Sequence, residues 1–151
     1  MITVQIAEEC QPLKVSLSRL EALVVSICSR FSVTDALVSV VIVDDRQIAL
    51  CNRDFLGHEE TTDSISFDLS DGFEKARVFE VIVNGEKALQ EATLRNHSPE
   101  AELALYVTHG MLHNFGYDDL EEKLAREMHQ LEDAILEDFG YGIVYDTAKK
   151  G

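Results

Sequence analysis

Residues 98–116 constrain the fold more than any other stretch of the chain. Ser98-Pro99 is a helix start: a serine side chain caps free N–H groups, and proline at the first helical position gives up no N–H that a partner needs. Apolar residues then follow at Ala101, Leu103, Ala104, Leu105, Tyr106, Val107, Met111, Leu112 and Phe115, which spread over most of the helical circumference. A helix that is apolar nearly all round has no face to give to water, so this one is expected to be central and buried. Gly116 supplies a left-handed stop.

The remaining segments supply what such a helix packs against. Ile2, Val4 and Ile6 alternate with polar residues, as a half-buried strand does. From Leu17, an apolar stripe runs through Leu20, Leu23, Val24, Ile27, Cys28 and Phe31, with Ser16 as its cap. Residues 38–43 form a continuous β-branched run, the signature of a central strand, and 46–56 read as a short helix. Residues 64–69 alternate strictly and close on an Asp71-Gly72 turn. A strand over 78–83 ends at Asn84-Gly85, a helix over 86–95 is broken by Asn96-His97, and a last amphipathic helix spans 120–139. The expected fold is α+β: a mixed sheet of about four strands packed with about five helices.

With 151 residues the chain reads as one domain, 1–151, large enough to bury a core without disulfides. The three cysteines, Cys10, Cys28 and Cys51, form no CxxC pair and read as reduced thiols, which suits the cytoplasm. No basic, apolar signal segment opens the chain, and the most apolar stretch, 17–31, is too short and too charged to span a bilayer. Net charge is −15, and nine acidic against two basic residues fall between Asp118 and Asp138. A solvated helix face explains that run. The acidity argues against strong, general affinity for nucleic acid, and no DNA partner is expected.

His109 and His113 stand at i and i+4, so both imidazoles project from one face of the central helix about a turn apart. That spacing lets two rings reach one ion. The same spacing also occurs in satisfied core pairs without metal. Two histidines on so apolar a helix need partners, because an unpaired buried polar group costs about 1–3 kcal/mol. Gly116 allows a sharp reversal that returns Asp119 as a third ligand. Two histidines and a carboxylate with an open fourth position is the donor count of catalytic zinc, the expected cofactor. The alternative role for Asp119 is as the cap of the last helix, in a capping box with Glu122. His58, His97 and His129 match no ligand spacing and read as surface residues. Asp63, Asp68 and Glu80 read as loop or strand polar residues.

The run His109-Gly-Met-Leu-His-Asn-Phe-Gly-Tyr-Asp-Asp119 resembles the HGxLHLxGYDH pattern of the YbeY family, bacterial endoribonucleases that act as rRNA maturation factors. His109, Gly110, Leu112, His113, Gly116, Tyr117 and Asp118 match, while Asp119 replaces the third histidine and Asn114 an apolar residue. Asn52, with residues 62–67, is similar to the family's LNxxYRxxDxPTDVLSF segment, and residues 79–83 to its GDIxIS strand. The family's basic residue falls at Leu56 here, and Arg53 is the nearby candidate for substrate contact. The resemblance implies a metal-dependent, single-strand-specific endoribonuclease that matures the 3′ end of small-subunit rRNA and serves ribosome quality control. Its implied partners are ribosomal RNA and the small ribosomal subunit.

Two rival functions follow from the same residues. The spacing of His109, His113, Gly116 and Asp119 is that of metzincin proteases, HExxHxxGxxH, but their general-base glutamate is Gly110 here. The other rival is a metal-stabilised ribosome-assembly factor with little or no nuclease activity. Asp119, Leu56 and the acidity favour it.

Overall fold

The computed structural model describes residues 1–10, 13–57, 62–73 and 75–142. Its elements run β1 (Ile2–Glu8), α1 (Leu17–Arg30), β2 (Ala36–Val43), α2 (Asp45–Leu56), β3 (Ser64–Asp68), β4 (Arg77–Asn84), α3 (Gly85–Arg95), α4 (Pro99–Asn114) and α5 (Glu122–Asp138). The sheet order is β1-β2-β4-β3. β1 and β4 flank β2 in parallel, and β3 pairs antiparallel to β4 with Ile65 opposite Ile82. The expected mixed α+β architecture is therefore the observed one. Among the described residues no helix is long and apolar enough to cross a membrane.

Alternation along the two inner strands divides the core. Val38, Val40 and Ile42 of β2 and Phe79, Val81 and Val83 of β4 face α1, α3 and α4 and belong to the main core. Val41 and Val43 of β2 and Ile82 of β4 point the other way, where Ile48 of α2 and Ile65 of β3 complete a smaller cluster. α2 leaves the far end of that face uncovered, and Leu37 stays exposed there.

The helix starts follow their caps. Ser16, Asp44, Asn84 and Ser98 each accept a backbone N–H in the first turn of the helix that follows. At Asn84-Gly85 β4 runs straight into α3, with the fully buried Asn84 also donating to Asp45 Oδ1 at 2.6 Å.

α4 is buried along most of its length, from Ala101 to Thr108 and again from Gly110 to Leu112. It packs on β3, β4, α1, α3 and α5. Its close approach to the sheet explains Gly110: a Cβ there would lie 2.6 Å from Val81 Cγ1. A glutamate at this position, as the protease reading needs, would be driven into the sheet. Gly110→Ala is expected to force α4 off β4 at a cost of about 1–3 kcal/mol, read as a fall in the denaturant midpoint. An unchanged midpoint would show that Val81 yields freely.

Candidate metal centre

The C-terminal half of α4 and the turn after it build the site. α4 ends at Asn114, and Gly116 takes φ +95°, a left-handed conformation in which a side chain would be strained. The reversal is pinned by aromatic packing. Phe115 stacks on Phe31 at 4.5 Å and meets Phe79 at 5.2 Å, and Tyr117 packs edge-on against Phe31. The chain thus returns past its own helix and carries Asp119 to the two histidines.

His109 Nε2 and His113 Nε2 lie 3.0 Å apart. Asp119 places Oδ2 3.6 Å from the first and Oδ1 3.9 Å from the second. The outer ring nitrogens fix the chemistry. His113 Nδ1 lies 3.0 Å from the Tyr117 carbonyl, which can only accept, so Nδ1 carries the hydrogen. His109 Nδ1 lies 2.5 Å from Glu132 Oε2. Burial pushes the Glu132 carboxyl up, but hydrogen bonds and charge from His109 and His129 bring it below its ordinary range, so it is an ionised acceptor. When both rings are neutral, their lone pairs therefore face each other across 3.0 Å. A proton or a cation between them is what relieves that repulsion. Burial lowers the pKa of His109, and the Glu132 hydrogen bond and the Glu132 and Asp119 charges more than offset this, raising it above its ordinary value.

The donor set fits a metal ion. Two imidazole nitrogens at Zn–N distances near 2.0–2.1 Å and a tetrahedral angle stand about 3.3 Å apart, a few tenths more than here. The three donor atoms all lie within 4.8 Å of one another, and all three residues are partly open to solvent. A second group, His109, His129 and Glu132, meets the same distance test. It uses the opposite nitrogen of His109, and a neutral imidazole offers only one lone pair. The two groups cannot both take His109 as a neutral ligand.

Several sequence expectations need correction. Asp119 does not cap α5: that helix begins at Glu122 with Glu121 as its N-cap, and no side chain caps it. The local turn is closed instead by Asp118 Oδ1, which accepts the Leu120 N–H at 2.6 Å. His129 is only partly exposed, at 20%, and its Nδ1 lies 2.6 Å from Glu132 Oε1. His97 is only 9% exposed and pairs with the buried Glu102. His58 lies outside the described residues, as does the side chain of Leu56. Asp63 is more than loop polarity, since it pairs with Lys87 at 2.5 Å and lines a small cavity with Tyr106, His109, His129 and Glu132. Asp68 pairs with Arg77 at 2.9 Å, and Glu80 sits on the α2 side of β4. Cys10, Cys28 and Cys51 form no disulfide, and burial pushes each thiol up.

Arg53 occupies the last turn of α2, with Nε 3.2 Å from Asp54 Oδ1, and is not among the residues gathered around His109. Sequence reading missed Glu132. Its signal was available: Met128, Glu132, Ile135 and Leu136 share one face of α5, where a carboxylate interrupts an apolar stripe.

The family model described as Endoribonuclease YbeY matches residues 5–140. The chain belongs to the YbeY family. It is similar to the Endoribonuclease YbeY of Alkaliphilus metalliredigens, 36% identical over 112 residues, covering 70% of this chain and 72% of that one. The Endoribonuclease YbeY of Lysinibacillus sphaericus is 37% identical over 116 residues, covering 70% and 73% respectively. The solution structure of a protein from Thermotoga maritima superposes with a TM-score of 0.64 at 28% identity, covering 91% of this chain and 89% of that one.

Proposed function

We propose that this chain, as one domain, is a zinc-dependent, single-strand-specific endoribonuclease of the cytoplasm. It acts in ribosomal RNA maturation, at the 3′ end of small-subunit rRNA, and in ribosome quality control. Its partners are that RNA and the small ribosomal subunit. The observation that carries the reading is the pair of imidazole Nε2 atoms 3.0 Å apart beside Asp119, in a member of the YbeY family. His109, His113 and Asp119 are the ligands. A bound zinc ion supplies Lewis-acid polarisation of a phosphoryl oxygen or activation of a water. The Tyr117 carbonyl and the Glu132 carboxylate hold the two rings with Nε2 toward the metal position. Asp119 adds a negative charge that a histidine would not, so it lowers the effective charge presented to phosphate. Arg53 is the candidate for steering the RNA backbone, and its guanidinium is paired with Asp54.

The test is removal of metal. Protein purified without chelator is expected to carry about one zinc per chain and to cut single-stranded but not duplex RNA. Chelation should abolish cleavage, and added zinc should restore it. Metal-free protein, or cleavage indifferent to chelation, overturns the reading. The acidity of the chain and the Arg53–Asp54 pair favour one second reading, a metal-stabilised assembly factor. It predicts zinc without cleavage, and loss of stability and ribosome association in His109→Ala.

A further inference from the structure

Glu132 is fully buried and stands between two imidazoles, His109 on one side at 2.5 Å and His129 on the other at 2.6 Å. A buried carboxylate is costly unless each oxygen is hydrogen-bonded, and here the two rings supply one donor each. The histidine rings themselves lie nearly parallel, 15° apart, with centroids 6.1 Å apart. His129 and Glu132 sit one turn apart on α5, while His109 belongs to α4, so the bridge crosses between helices.

We infer that Glu132 and His129 form a positioning pair that sets the tautomer and orientation of His109 and thereby tunes metal affinity. The inference rests on the proposed His109–His113–Asp119 site. Of the two ways His109 can be hydrogenated, only the Nδ1–H form is held by Glu132, and only that form leaves Nε2 free toward His113 and Asp119. His129 fills the remaining oxygen of Glu132, so the carboxylate cannot rotate away from His109 without leaving a buried acceptor unpaired. The same logic assigns the alternative donor group, His109, His129 and Glu132, to support of the metal rather than to ligation of it. Outer carboxylates that hold a ligating histidine change metal affinity by about 10–100-fold when removed.

The experiment measures zinc affinity by competition with a chromophoric chelator, together with the His109 tautomer by long-range proton–nitrogen NMR. It compares wild type with Glu132→Gln, His129→Ala and His129→Gln. Wild type is expected to show a His109 hydrogen on Nδ1 when metal-free. Glu132→Gln should weaken zinc binding about 10–100-fold and mix the tautomers. His129→Ala, at a partly exposed position that tolerates truncation, should weaken it several-fold, and His129→Gln, which keeps a donor, should recover most of that loss. Unchanged affinity and tautomer in both Glu132→Gln and His129→Ala overturn the positioning role while leaving the three-ligand site intact. Wild-type protein that binds no zinc overturns the site and this inference with it.

Discussion

His113→Ala is expected to reduce bound metal from about one ion per chain to a small fraction of that, and RNA cleavage by about 10²–10³-fold. The size follows from the charge that is lost. A metal ion contributes several kcal/mol of transition-state stabilisation where phosphate charge develops, and each 1.36 kcal/mol is a factor of ten. Folding should hardly change. The His113 side chain is 32% exposed, so water can take its place at the Tyr117 carbonyl. A loss of more than about 1 kcal/mol of metal-free stability would be out of place for such a surface position. Elemental analysis, single-turnover RNA cleavage and denaturant melts on one preparation separate these effects. Asp119→His is the control in the opposite sense: it restores the family's third histidine and should keep the metal. Full metal content in His113→Ala would mean that the ion, if any, sits elsewhere.

What the sequence made legible was whatever a period or a cap encodes. The 3.6-residue stripe of α1, the alternation of β3 and the Ser98-Pro99 start of α4 each depend on neighbours a few positions away, and each appears within a residue or two of its expected bounds. His109 and His113 were legible for the same reason, since i and i+4 on a helix is a local relation. Asp119 was half legible. Its reach back to the histidines depends on the Gly116 reversal and on Phe115 and Tyr117 packing against Phe31, eighty-odd residues earlier in the chain, and no local pattern reports that. The capping box at Asp119 failed because α5 begins later, at Glu122, where Glu121 offers no side-chain cap. Glu132 and His129 were hidden in a run of acidic residues that reads as a solvated face. Its place on the apolar stripe with Met128, Ile135 and Leu136 is the one local mark that sets Glu132 apart from its neighbours, and the packing of α5 against α4 is what buries it. Sheet order was likewise out of reach, because the strand that follows β3 in the chain runs between β3 and β2 in space.

Glu102 is the other carboxylate that the acidity concealed, and Glu102→Ala is expected to cost about 3 kcal/mol, a fall in Tm of about 10 °C. The side chain is 1% exposed in the first turn of α4. Arg95 Nη1 approaches Oε1 at 3.2 Å, and His97 Nε2 is hydrogen-bonded to Oε2. These partners sit at the end of α3 and in the link to α4, where Asn96 takes a left-handed φ of 57°. One carboxylate thus ties two helices across a three-residue connection. Truncation leaves His97, buried at 9% exposure, without the partner of its Nε2. Arg95, at 24%, can turn toward water, which holds the cost to the lower end of the range for a broken buried ion pair. Glu102→Gln keeps one acceptor and should lose about half as much. Zinc affinity is the second measurement. The cluster lies near the opposite end of α4 from His113, so a destabilised but folded Glu102→Ala protein should bind zinc as wild type does. A variant that melted normally would show that Arg95 and His97 are held by other contacts. One that folded but lost zinc would show that the start of α4 sets the position of its histidines.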